Sequence, residues 1–278
     1  MQWGLKKNMG SKSSKYILTC GCSFTDKDYE KHTVVKMDYD PFPKWPELLG
    51  KKLNKPVKNI AISGASNDYI FRLLLSDILE NHEKIETVIV AWSEWTRAYI
   101  YNGVVERFAK PRNSFNMSYL ILHPGNKKYS FDGHEFSRHY WKNKKYLDDV
   151  AESTLRNMHE LQTLCNKFNI NLIQSQMLNT INPLVFSEEY EELVGGKPSW
   201  KYFLESLAFN DHLLEIKRET FIGWPGVREL GGTALDHFLS NEDRLNPVEG
   251  PLRDTHPNAR GHEILSKIYY NRYKELYL

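Results

Sequence analysis

The sequence predicts an α/β protein in which helices cover both faces of a central parallel sheet, a three-layer α/β/α sandwich. Strand and helix signals alternate along the chain, as they do when parallel strands are joined by helical crossovers. Residues 87–92, Thr-Val-Ile-Val-Ala-Trp, form a nearly unbroken apolar run, the composition of a strand shielded on both sides. Residues 67–80 place Ile70, Phe71, Leu74, Leu75, Ile78 and Leu79 at helical spacing, which gives the helix an apolar face to lay on a sheet.

Taken in order, Tyr16–Cys20 is the first strand and Trp45–Leu53 a short helix opened by Pro46, since proline is tolerated in a first helical turn. Residues 57–61 are the second strand, ending at Ser63-Gly-Ala-Ser66. The helix over 67–80 follows, with Ser66 or Asn67 available to cap it. Strand three is 87–92. Residues 148–168 read as a long amphipathic helix, 170–177 as strand four, 200–216 as a second helical region and 221–224 as the last strand. A closing helix runs from about 257 to 276, with Ile264, Leu265, Ile268 and Tyr269 on its buried face.

Two stretches exceed what a minimal sheet with crossovers needs. The expected organisation is therefore a disordered lead over residues 1–14, then one domain over 15–278 with insertions at about 97–145 and 179–220. The first insertion holds ten Lys or Arg against three Asp or Glu, with ten aromatic residues interleaved. Its basic excess is local, because the whole chain of 278 residues carries a formal net charge of +2, too little to argue for nucleic acid or an anionic membrane.

With 41% hydrophobic residues the chain can bury one substantial core. Three cysteines, two of them in Cys20-Gly-Cys22, make no disulfide framework, so a reducing compartment fits. The first fifteen residues lack an apolar signal core, and no apolar run approaches the roughly 20 residues of a membrane-spanning helix. A cytoplasmic protein without a membrane partner is expected. The histidines show neither HExxH nor CxxC context, so neither a metal nor another cofactor is expected.

In an open parallel sheet the turns that follow the strands share one rim. Ser23 follows strand one in Tyr16-Ile-Leu-Thr-Cys-Gly-Cys-Ser-Phe-Thr25, Gly64 follows strand two, and Ser93-Glu94 follows strand three. Near the other end, Arg253-Asp-Thr-His-Pro-Asn-Ala-Arg-Gly-His262 supplies Asp254 and His256. A serine hydroxyl becomes a nucleophile when a base takes its proton, and an aspartate can fix and stabilise the imidazole that does so. Backbone N–H groups of Ser23 and Gly64 are candidate donors to an oxyanion, with Asn67 or Ser93 adding a side-chain donor. Trp92, Glu94, Arg97, Tyr99 and Tyr101, which close or follow strand three, are candidate substrate contacts. Cys22 competes with Ser23 as a nucleophile or merely fits a tight turn. His262, six positions after His256, reads as a structural helix residue.

These blocks resemble those of the SGNH, or GDSL-like, hydrolases. Gly21-Cys-Ser-Phe-Thr25 is similar to the nucleophile block, Asn59-Ile-Ala-Ile-Ser-Gly64 to the glycine block, and Asp254-Thr-His-Pro-Asn-Ala-Arg-Gly-His262 to the acid and base block. The resemblance implies the flavodoxin-like sandwich of that family, no cofactor, and cleavage or transfer of esters, with small-molecule or glycan esters as substrates. Such divergent relatives are frequent in bacteriophage genomes. The chain departs from the family at two places. Ala91-Trp-Ser-Glu94 stands where a Gly-x-Asn-Asp block closes strand three, and the acid lies two residues before the histidine rather than three.

Three function classes follow. The first is a serine esterase acting on an O-acylated, carbohydrate-like substrate; the second is an O-acyltransferase using the same three residues. The third is a non-catalytic protein that holds a polyanion or glycan on a degenerate hydrolase scaffold, motivated by the missing asparagine. The basic and aromatic insertion suits a cap over Ser23, a groove for a phosphate backbone or an oligomer contact; the cap is the expected role and nucleic acid is not an expected partner. The oligomeric state is left open.

Overall fold

A computed structural model describes residues 15–29, 40–95, 97–101, 119–122, 146–180, 207, 210–248 and 254–278; the side chains of 98–101, 119–122, 146, 147 and 229 lie outside that set. The expected lead over residues 1–14, most of both insertions and the first half of the helix over 200–216 also lie outside it.

Five strands form one parallel sheet. They are β1 (Tyr16–Cys20), β2 (Val57–Asn59), β3 (Ile85–Trp92), β6 (Asn171–Gln176) and β7 (Phe221–Ile222), in spatial order β2-β1-β3-β6-β7. Every neighbouring pair is parallel, with Leu18 opposite both Lys58 and Val88, and Val88 in turn opposite Leu172. Connection order reverses between β1 and β3. The carboxyl ends of those two strands are therefore the switch point at which open α/β sheets generally bind ligands.

Alternate side chains of each strand point to opposite faces, and two separate cores result. Leu18, Val88, Val90 and Leu172 pack with α2 (Asn67–Asn81) and α3 (Tyr146–Lys167). Ile17, Ile89, Ala91 and Ile173 pack with α1 (Trp45–Leu53) and α5 (Ala259–Tyr277), where Trp45 stacks on Tyr269 at 4.1 Å between ring centroids. The three-layer expectation is met, and the unbroken apolar run of β3 is explained by burial on both sides. Truncating a core residue such as Leu74 to alanine is expected to cost about 2–5 kcal/mol. Among the described residues no helix is long and apolar enough to cross a membrane.

Several element ends differ from expectation for local reasons. Strand β2 stops at Asn59, whose Oδ1 accepts the N–H of Ala61 at 3.1 Å in a side-chain turn while its Nδ2 reaches Thr25 O at 2.8 Å. Strand β7 is two residues long because Gly223 turns with φ of 78°. Of the helical region over 200–216, Leu207 and residues 210–216 are described, the latter forming a short α4 (Asp211–Glu215) with its caps, tied to α3 through Gln162, which donates to Glu215 O and accepts from Lys217 N.

Part of the first insertion is regular structure. Residues Ala98–Tyr101 (β4) and Tyr119–Leu122 (β5), rich in aromatic and branched types, pair antiparallel. A second small pairing joins β8 (Arg244–Asn246) to β9 (Asp254–Pro257). The closing helix therefore starts at Ala259 rather than 257: the residue before a proline prefers an extended backbone, and Asn258 caps the helix by accepting from Gly261 N at 3.1 Å.

Candidate active site

The turn after β1 is set by its flanking residues. Cys22 O accepts the N–H groups of both Thr25 (2.8 Å) and Asp26 (3.0 Å), while Cys22 and Phe24 are buried on either side of Ser23. Ser23 is left half-exposed at the tip. A side chain at Gly21 would meet Thr25 Oγ1 at 2.5 Å and Ala91 O at 3.0 Å, so the close approach of the turn to β3 requires glycine. Full burial also settles Cys22 as a packing residue of the α1/α5 core.

Two residues of β9 face Ser23. Asp254 and His256 are separated by two positions, and in an extended strand such residues share a face. The spacing of two residues thereby lets one strand present both groups on the same side. His256 Nε2 lies 2.7 Å from Ser23 Oγ, and His256 Nδ1 lies 2.7 Å from Asp254 Oδ1, which also accepts the His256 backbone N–H at 2.9 Å. Burial alone would raise the Asp254 carboxyl. The bond from the His256 ring, its charge, its backbone N–H and the Tyr29 hydroxyl outweigh that and hold it below the ordinary carboxylate range. An ionised carboxylate accepts only, so Nδ1 carries a ring proton, and in the neutral imidazole Nε2 is then the acceptor facing the serine hydroxyl.

Three side chains that organise this arrangement carry no local sequence signal. Tyr29 donates its hydroxyl to Asp254 Oδ2 at 2.8 Å and stacks on His256, with centroids 3.9 Å apart. Arg244 donates from Nη1 to Thr255 O (2.8 Å) and Asp236 Oδ1 (2.7 Å), and from Nη2 to Asp236 O and Leu239 O. It thereby grips the peptide between the acid and the base. Asp26, 1% exposed, accepts from Ser63 N (2.9 Å) and Ser63 Oγ (2.7 Å), tying the nucleophile turn to the glycine turn.

Gly64 follows Ser63 with φ of 78°, a conformation that side-chain-bearing residues rarely adopt. Among the described residues, the backbone N–H groups of Ser23 and Gly64 have no acceptor. The two expected side-chain donors are placed otherwise. Asn67 is 3% exposed; its Nδ2 donates to Ser93 O (3.2 Å) and Thr154 Oγ1 (3.4 Å), and its Oδ1 accepts Ser93 N at 2.8 Å. The amide clamps the end of β3 instead of facing the rim. Ser93 is fully buried, and its Oγ has no partner among the described residues.

Of the expected substrate contacts, Trp92 needs correction. Trp92 is a core residue whose Nε1 donates to Gln174 Oε1 at 2.9 Å, because strand alternation turns it into the α2/α3 face. Glu94 and Arg97 form an ion pair at 3.2 Å with side chains 13% and 10% exposed, so the guanidinium already has a carboxylate. Tyr99 and Tyr101 lie on β4, with side chains outside the described set. His262 is structural as expected: it accepts Trp45 N at Nδ1 (3.2 Å), and burial, then Lys44 and His256, hold it well below the usual histidine value. Among the described residues, no three metal-ligating side chains are grouped to hold an ion.

No family model matches the chain, and no curated protein sequence matches it. Solved structures do resemble it at low identity. A lipase from a goat rumen metagenome is 14% identical, with 93% of this chain and 97% of that one covered at a TM-score of 0.45. A psychrotrophic esterase from Pseudoalteromonas sp. is 12% identical, with 94% of this chain and 98% of that one covered at a TM-score of 0.39. An acetyl xylan esterase from Geobacillus stearothermophilus is 13% identical, covering 94% of each chain at 0.40. At such TM-scores the reading of the site rests on its own geometry.

Proposed function

We propose that this chain is a serine-dependent ester hydrolase of the SGNH, GDSL-like type, working through an acyl-enzyme on Ser23. The observation that carries the reading is the unbroken relay Ser23 to His256 to Asp254, 2.7 Å at each step, beside two backbone N–H groups without acceptors among the described residues. His256 removes the proton as Ser23 Oγ attacks the ester carbonyl, and Asp254 stabilises the imidazolium that forms. The Ser23 and Gly64 N–H groups meet the charge that develops on the carbonyl oxygen. The imidazolium then protonates the departing alcohol, and a water activated by the same ring releases the acid and restores the serine.

The substrate class we favour is an O-acylated, carbohydrate-like molecule, on the basic and aromatic composition of the segment after β3. An assembled relay is a poor match for a degenerate scaffold, and transfer to an alcohol would use the same residues in the second step.

A fluorophosphonate probe tests the reading. The wild-type chain is expected to be labelled at Ser23 and to hydrolyse p-nitrophenyl acetate, with both lost in Ser23→Ala. Folded wild-type protein that resists the probe would sink it.

A further inference from the structure

The segment just past the nucleophile is built to carry one aromatic residue across to the acid and base. Asp26 Oδ1 accepts Asp28 N at 2.9 Å and Asp26 O accepts Tyr29 N at 3.3 Å, which closes a compact turn over residues 26–29. The other carboxylate oxygen of Asp26 holds Ser63 of the glycine turn. The turn is thus anchored to the rim, and it delivers Tyr29 to both members of the acid–base pair at once.

We propose that Tyr29 is a positioning residue for this pair, holding the Asp254 carboxylate and the His256 ring in the orientation that general-base catalysis on Ser23 requires. The inference rests on reading Ser23, His256 and Asp254 as the catalytic relay. Aspartate χ2 is a broad torsion, so a carboxylate bound through one oxygen can swing. The Tyr29 hydroxyl secures the second oxygen and keeps Oδ1 on Nδ1. The stacked phenol limits rotation of the imidazole and presents a π face to the imidazolium during turnover. Phe24 adds a second ring 4.7 Å from the imidazole.

The two contacts push the base in opposite directions. A hydrogen bond from Tyr29 lowers the electron density on Asp254 and so weakens its hold on the imidazolium, whereas the ring face favours that cation. The ionisable groups that bear on His256 are Asp254, Tyr29 and the buried His262, which stays uncharged at neutral pH.

The test compares full-length wild type, Tyr29→Phe and Tyr29→Leu in p-nitrophenyl acetate hydrolysis across pH, together with the rate of Ser23 labelling. Loss of the hydroxyl alone is expected to reduce kcat by about 10- to 100-fold, the weight of a hydrogen bond to a charged group, with KM little changed. The acid limb of the pH profile should move to higher pH in Tyr29→Phe and move back in Tyr29→Leu, which lacks the ring as well. A purely structural tyrosine would alter thermal stability and leave the acid limb in place, and that outcome overturns the proposal. So does wild-type kcat in Tyr29→Phe while Ser23 is still labelled, which leaves the relay intact. If wild-type Ser23 is not labelled, the relay reading fails and Tyr29's role falls with it.

Discussion

Two halves of the same sheet rim treat their polar groups in opposite ways. Beyond β3 and β6 the described side chains, the Ser93 hydroxyl excepted, are largely committed to one another: Asn67 and Gln176 both bind the Ser93 peptide, Gln176 also accepts from Trp95 Nε1, and Thr180 donates to Gly226 O. Beyond β1 and β2 the N–H groups of Ser23 and Gly64 are left without acceptors among the described residues, and a hydroxyl faces an imidazole. Buried polar groups that are fully paired make a rigid support. Donors left unpaired at a half-exposed turn are available to a ligand, so the proposed hydrolysis assigns chemistry to the first half of the rim and scaffolding to the second.

The largest expected effect breaks that contrast on its reactive side. His256→Ala removes the base and should lower ester turnover by about 10³–10⁶, as losses of a triad member do, with thermal unfolding little changed. An undiminished rate would move the chemistry elsewhere.

Arg244→Met should come next, acting on the support of the acid–base strand. It leaves Asp236 without its partner and frees Thr255 O, at an expected cost of about 3 kcal/mol, measured by urea unfolding. Turnover should fall as well, since β9 carries both Asp254 and His256.

Asn67→Ala sharpens the comparison most directly. As a clamp on Ser93 it should lower stability by about 1–3 kcal/mol while changing turnover by well under the 10²–10³ that loss of an oxyanion donor produces. A rate loss of that size with unchanged stability would return Asn67 to the reactive half.

The smallest effect concerns pH. His262 is neutral in the fold because burial depresses its pKa well below 6.5, whereas the unfolded chain gains that proton from about 6.5 downward. Its contribution to stability is complete above that pH and declines below it. His262→Asn, which keeps an acceptor for Trp45 N, should lose less stability than wild type between pH 7.5 and 5.5 in urea melts.

Much of this was legible in the chain. Hydrophobic periodicity located every strand of the sheet, because burial on two faces leaves an unbroken apolar signature in β3 and helical spacing in α2. Ser23, Gly64, Asp254 and His256 stood out because each belongs to a short segment whose turn or strand context is written locally. Asn67 and Trp92 misled for the opposite reason. Side-chain amides and indoles suit a ligand or a buried network equally well, and their partners Ser93, Thr154 and Gln174 are set by how helices and strands pack.

By itself, then, the sequence determined the layers of the sandwich, the order of its elements and the identities of an alcohol, an imidazole and a carboxylate near the strand ends. Tertiary structure alone decided that Ser23 and His256, 233 positions apart, meet at 2.7 Å, that Tyr29 closes on Asp254, and that Arg244 grips the strand bearing the acid and base. The physical reason is range. Periodicity and turn chemistry act over a few residues, while a hydrogen bond across 225 positions exists only after the sheet has fixed where each turn ends.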